Sequence, residues 1–254
     1  MKKRKAGIGI FVIVLIITAV RVKSMDSHRI SGRILAENIA GPGMMRLVEQ
    51  SMQAQAQKTS VTEIAVKEWK HPQAALTFDD GPDIRYTPLL LDGLKERNVR
   101  ASFFLLGEKV EQYPELVERM QKEGHLVGNH TYHHVQLNKL NETKAREEIL
   151  KTNNLIYETT GVYPLYLRPP FGAWKKNLEL CVEMLPVFWT IDTLDWKVKN
   201  TEKIVRTVKE QIEDGAIILM HDEYDTSVEA ALQVVDELKN QEYELVTVDQ
   251  LILP

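Results

Sequence analysis

The stretch AALTFDDGP, residues 74–82, joins an apolar run to two adjacent carboxylates and a glycine-proline pair. That pair is typical of the end of a strand, because proline cannot extend a central ladder. Neighbouring side chains on a strand point to opposite faces, so Asp79 and Asp80 can serve one centre only where the backbone bends past the strand end. Taken alone, DDGP is more typical of a solvated surface turn. Whether it is such a turn or part of a functional site depends on the motifs in the rest of the chain.

From His71 onward, strand-like and helix-like segments alternate. Apolar runs predict seven strands, near 74–78, 101–106, 126–129, 166–168, 187–191, 217–220 and 245–248. Helical patterns predict six helices, near 87–97, 108–123, 142–160, 175–184, 201–213 and 228–240. Such alternation indicates a parallel sheet that is buried on both faces. We therefore predict an α/β fold, a distorted and reduced (β/α) barrel with parallel strands. An open doubly wound sheet is the alternative, but no glycine-rich phosphate loop follows the first strand.

The composition excludes several classes of function. The chain has 254 residues, of which 44% are apolar and 27% are charged, as in an ordinary globular protein. Its net charge of -4 and the lack of a basic half argue against a nucleic-acid partner. Cys181 is the single cysteine, so the chain can form neither an intramolecular disulfide nor a CxxC metal site.

The N-terminal stretch predicts the location of the protein. Residues 2–5 read KKRK, and an uncharged apolar run follows at 6–20. This pattern is typical of a signal peptide or a membrane anchor, and both stay open because the run is short for a bilayer span. The basic cluster predicts an N-terminus inside the membrane and a body outside it. We divide the chain into an anchor or signal peptide at 1–24, a stalk or linker at 25–70, and a folded domain at 71–254.

Polar groups follow five of the predicted strands. They are Asp79 and Asp80, the NHTYHH stretch at 129–134, RPPFG at 168–172, DTLDW at 192–196, and His221 in LMHD. In a parallel barrel, the C-terminal ends of all strands lie on one face. We therefore expect these groups to share a single site.

The spacing of two histidines indicates a metal centre. His130 and His134 are four residues apart, which places both imidazoles on one side of a helix or helical turn. With one aspartate they form a His-His-Asp set, which suits a divalent metal ion such as Zn²⁺, with Co²⁺ or Ni²⁺ as alternatives. His133 is a competing ligand when spacing alone is considered.

The remaining groups suit metal-assisted hydrolysis. The aspartate that does not bind the metal can act as a general base on water. His221 can act as a general acid, kept charged by either Asp192 or Asp195. Arg168 can pair with the base aspartate and fix its direction.

Taken together, TFDDGP, HTYHH, RPPFG, DTLDW and LMH, in this order, resemble the five motifs of the NodB-type polysaccharide deacetylases, carbohydrate esterase family 4. The resemblance covers about residues 71–254. It implies a distorted (β/α) barrel and metal-dependent removal of N- or O-acetyl groups from polysaccharides.

The resemblance also implies a role for each matching residue. Asp79 is similar to the family's catalytic base, and Arg168 to the residue that steadies it. The implied metal ligands are Asp80, His130 and His134. The family's second motif, His-Ser/Thr-x-x-His, favours His134 over His133 as the second histidine ligand.

The other motifs imply the groups that surround the acetyl group. By resemblance, Asp192 tunes the general acid His221. The backbone N–H of Phe171, which stands where tyrosine is common, would complete an oxyanion hole. Trp196 and Leu219 would form walls of the acetyl pocket.

The implied substrate is an N-acetylglucosamine-containing polysaccharide, with peptidoglycan as the leading candidate because an anchor and stalk would place the domain beside a Gram-positive cell wall. Chitin oligomers, poly-N-acetylglucosamine and acetylxylan are alternatives. A non-catalytic glycan-binding module on the same fold is a second alternative, and a cytosolic amidase is disfavoured by the N-terminal stretch. We expect an extracytoplasmic monomer that is membrane-anchored or secreted and faces the cell wall.

Overall fold

The computed structural model describes residues 70–174 and 184–252. Three predicted segments lie largely outside these ranges: the anchor or signal peptide at 1–24, the linker at 25–70, and the helix at 175–184. Within the ranges described, no helix is both long and apolar enough to cross a membrane.

Within the described residues, eight strands form one parallel sheet. In chain order they are β1 (Gln73–Asp79), β2 (Ser102–Leu105), β3 (Leu126–Asn129), β4 (Tyr166–Leu167), β5 (Leu185–Pro186), β6 (Ile191–Asp192), β7 (Ala216–His221) and β8 (Glu244–Leu245). The spatial order is β5-β4-β3-β2-β1-β7-β6, and β8 pairs with the start of β1. In the described part of the chain, the edge strands β5 and β6 do not pair with each other. The fold is thus a distorted, reduced (β/α) barrel, which confirms the predicted fold class.

Helices connect the strands, as expected for parallel neighbours. In chain order they are α1 (Tyr86–Glu96), α2 (Gly107–Gln112), α3 (Pro114–Lys122), α4 (Glu142–Thr160), α5 (Asp195–Val198), α6 (Thr201–Gln211), α7 (Asp225–Asn240) and α8 (Val248–Ile252). The bounds of α4 match its prediction. The Asn141 side chain accepts a hydrogen bond from the backbone N of Lys144 at 2.9 Å, and Gly161, with φ of +72°, ends the helix.

Strand β1 lies at the centre of the fold, and all seven of its residues are buried. Alternate side chains belong to the large apolar cluster that the helices share: Ala74, Leu76 and Phe78. The alternation of the strand therefore places Thr77 and Asp79 on the opposite face. Asp79 is the last residue of β1, so its carboxylate lies at the C-terminal edge of the sheet.

Two predicted elements are divided in the structure. The helix predicted near 108–123 is broken into α2 and α3 at Tyr113, because the residue before a proline is disfavoured in helical conformation. The strand predicted near 187–191 was wrong. β5 ends at Pro186 and pairs with β4, whereas β6 begins at Ile191 and pairs with β7, so residues 187–190 connect two opposite edges of the sheet.

Candidate active site

The predicted site residues gather at the C-terminal edge of the sheet. β1 ends at Asp79, β6 at Asp192 and β7 at His221, while His130 and Arg168 directly follow β3 and β4. Asp79 stands opposite His221 in the register of β1 and β7. The parallel topology thus brings together groups that are far apart in the sequence.

Asp80, His130 and His134 form a cluster that can hold a metal ion. The Oδ1 atom of Asp80 lies 3.3 Å from Nε2 of His130 and 3.4 Å from Nε2 of His134. One ligand atom from each of the three residues lies within 4.8 Å of the others. Two imidazole nitrogens and one carboxylate oxygen suit Zn²⁺ and similar divalent ions, and leave room for further ligands.

Two local observations indicate that this cluster suits a bound cation. Oδ1 of Asp80 is buried and has no hydrogen-bond partner among the described residues, which is costly for a carboxylate unless a cation binds it. Nδ1 of His130 lies 2.7 Å from the carbonyl oxygen of Arg168. Because a carbonyl only accepts, Nδ1 must carry the proton, and Nε2 keeps its lone pair for a metal.

The surroundings also favour the ionisation states that bind metals. Burial raises the pKa of Asp80, but the neighbouring imidazoles of His130, His134 and His221 outweigh it and hold this pKa below its ordinary value. Burial lowers the pKa of His134, although the Asp80 carboxylate opposes that shift. An ionised aspartate and a neutral histidine are the forms that coordinate a metal ion.

The histidines lie on an irregular loop, so the predicted helical turn was wrong. No helix is described between Asn129 and Leu137, and both Thr131 (φ +67°) and His134 (φ +55°) adopt left-handed backbone conformations. This path still brings the rings of His130 and His134 to a centroid separation of 5.1 Å. His133 lies outside the cluster: its side chain is 57% exposed, and its Nδ1 is 2.7 Å from Oε1 of Glu148.

Asp79 and Arg168 form a buried ion pair beside the cluster. Nη1 of Arg168 donates to Oδ1 of Asp79 at 2.8 Å and to Oγ1 of Thr77 at 2.7 Å. The Arg168 side chain is fully buried, and its guanidinium lies 4.1 Å from the centroid of the Phe104 ring. Oδ2 of Asp79 lies 3.7 Å from Nε2 of His130, so the second carboxylate oxygen faces the cluster.

His221 is paired with Asp195, and the prediction of Asp192 as its partner was wrong. Asp195 accepts hydrogen bonds from the backbone N and from Nδ1 of His221, at 2.8 Å each. Asp192 instead accepts from the backbone N of Leu194 at 2.9 Å. The cause is Leu194, whose left-handed conformation (φ +53°) turns the chain so that the second aspartate of DTLDW lies beneath the histidine.

This pairing keeps His221 protonated. Burial disfavours the charged imidazolium, but the hydrogen bond and charge of Asp195, together with the charges of Asp79 and Asp80, raise the pKa of His221 to about 9. Nε2 of His221 lies 3.9 Å from Oδ2 of Asp80, so its free nitrogen faces the cluster.

The predicted pocket residues differ in exposure. Phe171 is 62% exposed, has a φ of +59°, and its ring centroid lies 4.5 Å from that of His134. Trp196 is 48% exposed in α5, whereas Leu219 is buried in β7. Phe171 thus lies directly beside one of the candidate ligands.

Sequence reasoning missed a buried carboxylate that follows His221. Asp222 is fully buried and accepts a hydrogen bond from Oγ1 of Thr87. Burial raises its pKa to about 7, against the opposing hydrogen bond from Thr87 and the charge of Lys109. A Cβ atom at Gly81 would lie 2.6 Å from Oδ1 of Asp222, so this carboxyl group packs against the DDGP turn and requires glycine there. The only indication of this group in the sequence is that an acidic residue, Asp222, directly follows His221 in LMHD.

Known proteins resemble this chain in sequence. Residues 67–187 match the family model described as polysaccharide deacetylase. The chain is 43% identical over 177 residues to the peptidoglycan-N-acetylglucosamine deacetylase PgdA of Listeria monocytogenes, a match that covers 70% of this chain and 38% of that protein. It is 40% identical over 186 residues to a peptidoglycan-N-acetylglucosamine deacetylase of Bacillus cereus, covering 70% of this chain and 68% of the relative.

A solved structure resembles it as well. The peptidoglycan deacetylase PdaC from Bacillus subtilis matches with a TM-score of 0.70 and 42% identity, covering 72% of this chain and 91% of that one. The full-length PdaC sequence bears the name peptidoglycan-N-acetylmuramic acid deacetylase, and the match covers 38% of it. The chain therefore spans well under half the length of the Listeria and Bacillus subtilis relatives.

Proposed function

Because the chain belongs to the polysaccharide deacetylase family, we propose that it is a metal-dependent hydrolase that removes N-acetyl groups from N-acetylglucosamine units of peptidoglycan. One observation carries the proposal. A buried carboxylate, Asp79, and a charged imidazole, His221, both face a His-His-Asp cluster in which one Asp80 oxygen has no hydrogen-bond partner among the described residues. This is the arrangement that hydrolysis of an amide needs: a base, an acid and an electrophile at one centre.

Asp79 is the general base in this proposal. Arg168 holds its Oδ1, which leaves Oδ2 facing the cluster to accept a proton from the attacking water. The pair with Arg168 fixes the orientation of the carboxylate. Asp79 is therefore not needed as a metal ligand, although it lies next to Asp80.

His221 is the general acid. Its Nδ1 is occupied by Asp195, so Nε2 is the atom that delivers a proton to the departing sugar amine. The raised pKa keeps this proton in place at neutral pH. Transfer of the proton leaves a neutral imidazole that is still oriented by Asp195.

Asp80, His130 and His134 would hold the divalent metal ion, for which Zn²⁺ is the first candidate and Co²⁺ and Ni²⁺ the alternatives. When bound, such an ion supplies Lewis-acid polarisation of a carbonyl and lowers the pKa of water. The backbone N–H of Phe171 would donate to the oxygen that becomes negative during attack. Trp196 and Leu219 would enclose the acetyl methyl group.

The substrate assignment rests on the relatives and on the surface around the site. Both the Listeria and the Bacillus cereus relatives are named for peptidoglycan N-acetylglucosamine. The exposed rings of Phe171 and Trp196 offer the apolar surface on which sugar rings pack. We also propose that the protein is an extracytoplasmic monomer, anchored or secreted through residues 1–24, and that it faces the cell wall.

The test is acetate release by the full-length, metal-loaded protein from peptidoglycan, chitin oligomers, poly-N-acetylglucosamine and acetylxylan. We expect release from peptidoglycan, and mass spectrometry of muramidase fragments should place the free amine on glucosamine. A free amine on muramic acid would contradict the assigned sugar. Acetate release only from another glycan would contradict the assignment of peptidoglycan as the substrate. No release from any of them, with metal confirmed in the site, would favour a glycan-binding module.

A further inference from the structure

Glu148, on α4, holds the loop that carries the two candidate histidine ligands. Its Oε2 accepts hydrogen bonds from the backbone N atoms of Tyr132 and His133, at 3.1 and 2.9 Å. Its Oε1 lies 2.7 Å from Nδ1 of His133. One largely buried carboxylate thus makes three contacts between His130 and His134.

This loop needs an external support, because it has no secondary structure of its own. Thr131 and His134 both have positive φ values, a backbone conformation that is unfavourable for residues with a Cβ atom. The backbone N–H groups of Tyr132 and His133 lie between these two positions. Without Glu148 these two N–H groups would lose their acceptors, and the loop would lose these contacts with α4.

Other parts of the fold complete the support. The carbonyl oxygens of Thr131 and Tyr132 accept from the backbone N atoms of Gly107 and Glu108, at the start of α2, at 3.0 and 3.3 Å. Helix α4 is in turn fixed to the end of β3, since Nδ2 of Asn129 donates to Oδ1 of Asn153 at 2.6 Å and to the carbonyl of Ile149 at 2.9 Å. Glu148 therefore projects from a helix that is hydrogen-bonded to the end of β3 onto a loop with two left-handed residues.

We propose that Glu148 is a positioning residue for the metal centre. By binding consecutive backbone N–H groups it sets the path of the loop, so that His130 and His134 both face Asp80. By binding the ring of His133 it also keeps that histidine out of the cluster. This proposal rests on the proposed metal site and assigns Glu148 no contact with substrate or metal.

The test compares Zn²⁺ affinity of the full-length wild type with that of Glu148→Ala, Glu148→Gln and the matched control Glu147→Gln. Glu147 is exposed on the same helix. Affinity is measured by competition with a chromophoric chelator, and Co²⁺ absorption reports the ligand geometry.

We expect Glu148→Ala to weaken Zn²⁺ binding about 10- to 100-fold and to change the Co²⁺ spectrum. Glu148→Gln should lose less, because its amide oxygen still accepts from the backbone. Glu147→Gln should match the wild type.

The metal-free unfolding temperature separates positioning from folding. A loss of affinity at a near-wild-type unfolding temperature supports the proposal. Wild-type affinity in both Glu148 variants, an equal loss in Glu147→Gln, or a loss that only follows the fraction of unfolded protein would overturn it. Acetate release is not used in this test. Failure of the proposed deacetylase activity and failure of the positioning role would therefore be recognised separately.

Discussion

Asp195 accepts two hydrogen bonds from His221, one from its backbone N and one from its Nδ1, both at 2.8 Å. The first residue of α5 is thereby fixed to the last residue of β7 through backbone and side chain together. The orientation of the imidazole is determined by the fold, and the free Nε2 is left facing Asp80.

The first prediction follows from this pair. Asp195→Asn removes the charge that helps to raise the pKa of His221 to about 9. A general acid works only while protonated, so activity is lost as pH rises through its pKa. In the variant this alkaline limb of the kcat/KM profile should move to lower pH by one unit or more, since one unit is about 1.4 kcal/mol of interaction.

Asp192→Asn is the matched control, because Asp192 bonds only to the backbone N of Leu194 among the contacts described for its side chain. Its alkaline limb should stay at the wild-type position. A shifted limb in Asp192→Asn together with a wild-type limb in Asp195→Asn would reverse the assignment.

The buried pair of Arg168 and Asp79 provides the second prediction. Arg168→Met should lower the free energy of unfolding by about 3–5 kcal/mol, because it leaves a buried carboxylate without its partner. Urea denaturation in the presence of a chelator measures this loss. Adding Asp79→Asn to Arg168→Met should restore part of the stability. If the double variant is no more stable than Arg168→Met alone, the pair does not stabilise the fold in this way.

The third prediction distinguishes the two adjacent histidines. His134→Ala removes a nitrogen that lies 3.4 Å from Asp80 and should abolish stoichiometric Zn²⁺ binding, as measured by metal analysis after dialysis. His133→Ala removes a ring that is bound to Glu148 and should retain the metal. Loss of metal from His133→Ala with retention in His134→Ala would mean that the ligand assignment is wrong.

Asp222 gives the fourth prediction, which concerns stability and pH. Its folded pKa of about 7 exceeds the ordinary value of 3.8, so the native state binds this proton more tightly than the unfolded state. The stabilisation is complete below pH of about 3.8 and is lost as pH rises to about 7. The stability of the wild type relative to Asp222→Asn should fall over this window by on the order of 4 kcal/mol.

Urea denaturation of the metal-free protein at pH 5 and at pH 8 measures the part of this change that falls between those pH values, about 3 kcal/mol, with the exposed Asp225→Asn as control. A difference between wild type and Asp222→Asn that is the same at both pH values would contradict the raised pKa.

Much of the fold could be predicted because it depends on local patterns. Apolar runs, helix caps such as Asn141 and Gly161, and strand-ending pairs identify elements in order, and parallel topology then brings their ends together. The choice between Asp192 and Asp195 could not be predicted, because it depends on a left-handed turn at Leu194, a residue type that gives no signal for it.

The contacts that support the loop between His130 and His134 could not be predicted from the sequence for a similar reason. In the sequence, nothing distinguishes Glu148 from the other glutamates of its helix. Only the folded chain brings its carboxylate to the backbone of Tyr132 and His133. The left-handed residues Thr131 and His134 likewise replace the helical turn that the spacing of the histidines predicts. Contacts of this kind arise from tertiary structure and have no local periodicity.

The most direct test of the central claim is acetate release from peptidoglycan by the wild type and by Asp79→Asn, with bound metal measured in the same samples. We predict that the wild type releases acetate, that a chelator stops the reaction, and that added Zn²⁺ restores it. Asp79→Asn should retain its metal, because Asp79 is outside the ligand set, yet release almost no acetate. Metal-loaded Asp79→Asn that releases acetate at the wild-type rate would contradict this account, as would a wild type whose release is insensitive to metal removal.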